Sequence, residues 1–197
     1  MSATSSQNKL ATALEPLLPR LELDAPGSSL MNGLPDAAAG VARLAEAGRM
    51  PDALRLVAHA LPKREAVWWA CMCARAVPIA EAPSCDAEAL AAAETWVRKP
   101  DETARRATME VAQRGGFRSP EAWAAVAAFW SGGSMAPEGQ PVVPPADHLT
   151  GVAVAGAIIL AATRVTPERA EDRFLRFLQS ARDIAGGGAG RLEPEKN

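Results

Sequence analysis

Two histidines, three cysteines and a pair of loop serines are the side chains that could carry metal, nucleophilic or acid–base chemistry in this sequence. Cys71 and Cys73, with His59 upstream, first suggest a metal site. Structural zinc takes four ligands, supplied as two pairs at spacings such as C-x₂₋₄-C. The second pair is missing here, and two cysteines two positions apart on a helix point about 200° away from each other. The expectation is therefore buried, inert thiols with no metal and no cofactor. The same splay forbids a Cys71–Cys73 disulfide, and with Cys85 the three cannot all pair. Reduced thiols point to a cytoplasmic location.

His148 follows Asp147 and could act as a general base if a pocket forms beside it. Ser131 and Ser134 lie nearby in sequence. They sit in SGGS, which is not the G-x-S-x-G elbow and follows a helix rather than a strand. No G-x-x-x-x-G-K-[ST] phosphate loop occurs. No catalytic residue is assigned on these grounds. An enzyme of unknown reaction, with a pocket at residues 129–148, remains the alternative reading.

The stretch that holds these serines is the least helix-like in the chain. Phe129 to Pro145 reads FWSGGSMAPEGQPVVPP. Long loops without secondary structure are uncommon inside a domain and are usually functional or disordered. Phe129 and Trp130 give this one an apolar root, so order is expected. Gly132 and Gly133 are expected to supply backbone conformations closed to residues with a Cβ. Pro137, Pro141, Pro144 and Pro145 stiffen the chain and reduce the entropy lost on binding. With few titratable groups, the loop suits recognition better than proton transfer. The expected partner-binding residues are Trp130, Gly132, Gly133, Met135, Pro137, Pro141 and Val143.

The elements that must hold this loop are helices. Alanine dominates the composition, and no strand-length alternation of apolar and polar residues occurs. Proline followed by an acid recurs at Pro35-Asp36, Pro51-Asp52, Pro100-Asp101, Pro120-Glu121 and Pro167-Glu168. That pair suits a helix start, because proline lacks the amide that goes unused there and the acid complements the helix dipole. Ser119 and Thr166 suit the N-cap. The spacing predicts helices over 36–47, 51–60, 63–77, 85–98, 101–114, 120–131, 147–164 and 167–185. The fold class is all-α, an irregular bundle of about eight helices arranged as antiparallel hairpins, with a short HEAT/TPR-like α-solenoid as the alternative. No fixed repeat period supports the solenoid. Residues 1–33 read as a partly ordered N-terminal arm, 34–186 as the helical domain and 187–197 as a flexible C-terminal tail. Helices 63–77 and 147–164 are apolar on most sides and should be central.

A formal net charge of −2 makes no electrostatic case for nucleic acid. The longest apolar run, Val152 to Ala162, is too short to cross a bilayer. Residues 98–118 carry six cations against three acids, which reads as a solvated helix face. Trp123 and Trp130, seven apart, read as core packing. In 167–185, Asp172 and Arg176 are spaced for an i, i+4 pair, with Phe174, Phe177 and Leu178 inward.

Two segments together resemble a known family. VWWACMCAR (67–75) with AETWVRKPDETARRA (93–107) forms one, and the FWSGGSMAP block followed by HLTG within 122–162 forms the other. Over roughly Leu61 to Gly190 the chain resembles an uncharacterised bacterial family of about 200 residues associated with type VI secretion gene clusters. That family brings no catalytic residues. The resemblance implies an accessory protein working with a secretion component or its cargo. The expected function is thus a non-enzymatic adaptor that binds another protein, with a self-assembling structural subunit as a further alternative.

Overall fold

Alanine-rich periodicity and well-placed caps produce the helices seen in the computed structural model, which describes residues 8–196. Nine α-helices occur among these residues: α1 Ala25–Leu30, α2 Ala37–Glu46, α3 Met50–Ala60, α4 Lys63–Ala76, α5 Ser84–Arg98, α6 Glu102–Arg114, α7 Pro120–Phe129, α8 Leu149–Thr163 and α9 Ala170–Ala185. Short 3₁₀ turns cover Glu15–Arg20 and Pro167–Arg169. No strand occurs among the described residues, and the fold is all-α.

The proline-acid signal resolves into two devices. At Asp36 and Asp101 the acid is itself the N-cap, accepting from Ala39 N–H and Ala104 N–H, each at 2.8 Å. At Pro51, Pro120 and Pro167 the proline lies in the first turn and the acid follows it. Ser119 caps α7 through Ala122 N–H at 3.2 Å. Thr166 makes no side-chain cap. There the chain instead turns at Val165, φ 63°, so that Thr166 N–H reaches Arg164 C=O at 2.7 Å.

The centre is α4, α7 and α8. Helix α7 packs on α4, α5, α6 and α8, while α8 packs on α3, α4, α7 and α9. Ala122, Ala124, Ala125, Ala127 and Ala128 of α7 are all fully buried. Their small side chains leave room for several neighbours at once. A solenoid repeat touches only adjacent repeats. A helix shared by four others makes this a bundle.

Two sequence boundaries need correction. Residues 8–33 are not an arm: Leu10, Leu14, Leu17 and Leu21 are buried in the main core. Ala37 N–H and Ala38 N–H donate to Thr12 C=O and Leu10 C=O, tying this stretch to the start of α2. Residues 187–196 are not a free tail either. Trp68 donates to Ala189 C=O, and the Glu195 carboxylate is buried among arginines. Residues 1–7, with Ser2, Thr4, Ser5 and Ser6 of the expected arm, and residue 197 lie outside the described residues. No single helix among the described residues is long and apolar enough to cross a membrane.

Candidate functional site

The segment from Trp130 to His148 joins α7 to α8 with no helix or strand of its own. Arginines from α6 hold it. Arg105 is only 4% exposed. Its guanidinium donates to Phe129 C=O at 2.6 Å and to Ser134 C=O at 2.8 Å, and lies 4.5 Å from the Phe129 ring centroid. Glu102 accepts from it at 2.6 and 2.7 Å, and this pairing holds the Glu102 carboxyl below its ordinary range. Arg106 donates to Ala136 C=O at 3.0 Å. Lys63 of α4 donates to Ser131 C=O at 3.2 Å. The expected solvated face of 98–118 is therefore wrong for its two central arginines. They turn inward because the loop's carbonyls, lacking a helix or sheet, need donors.

Within the loop, Ser134 organises a turn. Its hydroxyl accepts from Ala136 N–H and Val143 N–H, each at 3.1 Å. Met135 N–H donates to Val143 C=O at 2.8 Å. The chain from Ala136 to Val142 is thereby closed into a tip. Gly133 has φ 65°, and a Cβ there would lie 2.7 Å from Arg105 Nε. Gly132 does not share this role: it has no positive φ and open space around its Cβ position. Trp130 is half-buried and meets Trp123 edge-on, ring centroids 6.3 Å apart. At the tip, Pro137 and Pro141 are exposed, Met135 is half-buried, and Val142 and Val143 are 75% and 47% exposed. Sequence reasoning passed over Val142. Its side chain is opposite in kind to its setting, a β-branched apolar residue in solvent, and only the folded chain reveals that.

The acid–base candidates fall at the other end of the loop. His148 is exposed, precedes α8 and does not cap it. Asp147 Oδ1 is 3.6 Å from Lys63 Nζ. His59 of α3 lies against Gly151, where any Cβ would strike its ring. Desolvation, then the nearby charges of Arg20, His148 and Arg55, push His59 down to about 4. A cleft of about 220 Å³ gathers Arg20, His59, Lys63, Asp147 and Thr150. Ser131 and Ser134 are not among its lining residues: Lys63 donates to the Ser131 carbonyl rather than meeting its hydroxyl, and Arg105 draws Ser134 towards α6. The cleft thus holds His59 and Lys63; His148 is not among its lining residues, and Ser131 meets Lys63 only through its main-chain carbonyl.

Cys71 and Cys73 are fully buried in α4 and Cys85 is half-buried at the start of α5. Burial pushes the Cys71 and Cys73 thiols up, so both are protonated at neutral pH. No group of three or more His, Cys, Asp or Glu side chains is placed to share an ion among the described residues.

A family model described as "Family of unknown function (DUF6931)" matches residues 40–185. That span takes in the loop, its arginine clamp and, apart from Arg20, the cleft beside His59. No curated protein and no solved structure matches the chain.

Proposed function

The chain belongs to that family of unknown function, DUF6931, and from this premise we propose that it is a non-enzymatic adaptor that docks another protein through its α7–α8 loop. The observation that carries the reading is the exposed apolar tip at Val142 and Val143 on a segment fixed to α6 and α4 by three arginine or lysine bonds to its carbonyls, with a fourth to Phe129 at its root. Exposed valines cost solvation unless something covers them. A tip already held in place loses little conformational entropy when it is covered. Prolines at 137, 141, 144 and 145 act in the same direction.

Met135 and Pro137 face a cleft of about 590 Å³ shared with Met109 and Phe129 and edged by Arg106, Glu110 and Glu138, a mixed apolar and charged surface that runs on towards α6. Trp130 supports the loop from below through Trp123. The partner proposed is a secretion-machine component or its cargo, working in the cytoplasm; the resemblance of the FWSGGSMAP and HLTG blocks supports that choice.

The test is a pull-down from the native host with the tagged chain, compared with three variants of it. Replacing Met135 to Val143 with a Gly/Ser linker, or Val142 and Val143 with Asp, should remove the captured partner while circular dichroism stays unchanged. His148→Ala should retain it. Normal capture by the linker variant would refute the docking role of the tip, and a phenotype lost with His148→Ala alone would favour chemistry at His148.

A further inference from the structure

The stretch after α9 behaves as a bound peptide rather than as a continuation of the bundle. It leaves the helix through Gly186, Gly187 and Gly188 and returns along α9 and α4. Most of its contacts read main chain. The Trp68 indole donates to Ala189 C=O at 2.8 Å, and Ser180 donates to Gly190 C=O at 2.6 Å. Asp183 accepts from Gly190 N–H at 2.7 Å, Arg176 donates to Glu193 C=O at 2.5 Å, and Ala76 C=O accepts from Glu195 N–H at 2.8 Å.

Two positions demand a particular residue. Gly190 has φ 62°, and a Cβ there would strike the Ile184 side chain. Glu195 places its carboxylate against Arg173 at 2.9 and 3.0 Å, Arg169 at 3.0 Å and Arg176 at 3.2 Å. Those arginines hold its carboxyl below the ordinary range, Arg173 foremost.

The central arginine of the receiving site has anchors besides its occupant. Arg173 is also fixed by Ala162 C=O, Arg164 C=O and Thr166 C=O at 2.8 to 3.2 Å, so its guanidinium stays in place if the carboxylate leaves. Trp68, Arg169, Arg173, Arg176, Ser180 and Asp183 all lie within the family span 40–185, whereas residues 189–195 lie outside it.

We propose that the face formed by α4 and α9 is a binding groove for an extended peptide of the form Gly-x-x-x-x-Glu, filled here in cis by residues 189–195. Backbone bonds supply affinity and the arginine cluster selects the glutamate. An occupant tethered by a glycine hinge competes at high effective concentration, so the groove opens to the same segment from another molecule only when the tether's own copy is displaced.

The test uses the full chain carrying Glu195→Arg, which sets a fourth cation among the three arginines and expels the cis segment. The probe is a fluorescein-labelled peptide of residues 187–197. Anisotropy should show binding to the variant at least about tenfold tighter than to the unaltered chain, whose own segment competes. The same peptide with Glu195→Gln should bind about tenfold more weakly, because it loses the charge-assisted bonds. On the unaltered chain, hydrogen exchange at Gly190 and Glu195 should be faster than at the amides of α4 and α9, reporting that the segment opens as a unit. A folded Glu195→Arg chain that ignores the peptide, or equal binding of the Gln peptide, overturns the proposal. So does a Glu195→Arg chain that fails to fold, or exchange at Gly190 and Glu195 only as fast as in α4, since either makes the segment an integral part of the core.

Discussion

Arg105 stacks on the ring of Phe129 and, through the same guanidinium, donates to the Phe129 carbonyl at 2.6 Å. Phe129 is the last residue of α7, where carbonyls have no helical partner. One α6 side chain therefore ends α7 and starts the loop, and its bond to Ser134 C=O holds the next turn as well.

Arg105→Ala should consequently act on both the helix end and the loop. It strands two carbonyls and leaves Glu102, half-exposed, with Arg106 as its remaining partner. A loss of about 2–4 kcal/mol is expected, from unpaired acceptors and lost charge-assisted bonds. Urea denaturation measures the loss, and hydrogen exchange at Met135 and Val143 N–H should rise with it. Unchanged exchange at those amides would show that the clamp does not hold the tip.

The two loop glycines should separate cleanly. Gly133→Ala forces a Cβ into a left-handed backbone and against Arg105 Nε, at a cost of about 1–3 kcal/mol. Gly132→Ala meets open space and should fall within about 0.5 kcal/mol of the parent. Thermal melts of the two variants side by side provide the comparison.

His59 makes stability depend on pH in one direction. The folded ring takes its proton only near pH 4, against about 6.5 when unfolded. Between those values the unfolded chain binds more protons, so stability rises with pH across the window. The contribution is complete above about pH 6.5 and is lost as pH falls towards about 4. Because the ring is partly exposed, screening limits the loss to about 1–2 kcal/mol. His59→Gln should flatten the urea midpoint between about pH 7 and pH 4.5 relative to the parent. Parallel profiles would remove His59 as the cause.

Thiol reactivity should follow burial. Cys85 should react with an aromatic disulfide reagent in the native protein, while Cys71 and Cys73 wait for denaturant. Cys71→Ala should cost about 1–2 kcal/mol through lost packing. Three equivalents reacting at one fast rate in the native chain would contradict the burial of α4.

The sequence by itself determined the helices. Eight of the nine were legible within a few residues, because alanine-rich periodicity and caps such as Asp101 and Ser119 are local signals. It also marked 129–145 as the odd segment, since glycine and proline act on the backbone where they stand. What it left open is everything that depends on a distant acceptor. Arg105 and Arg106 look like surface cations until the loop's carbonyls arrive from about 25–30 residues further on. Arg176 is spaced for Asp172, yet it turns to Glu195 and the carbonyl of Glu193, since the returning segment offers partners that its own helix does not. Leu10, Leu14, Leu17 and Leu21 keep a helical 4-3-4 spacing, but Pro16 and Pro19 break the segment as a regular helix, so only a core with space to receive them makes residues 8–33 part of the body. Partner choice for a long cation, and docking of a proline-broken apolar stretch, are properties of the packed molecule, and that is why tertiary structure alone decided them.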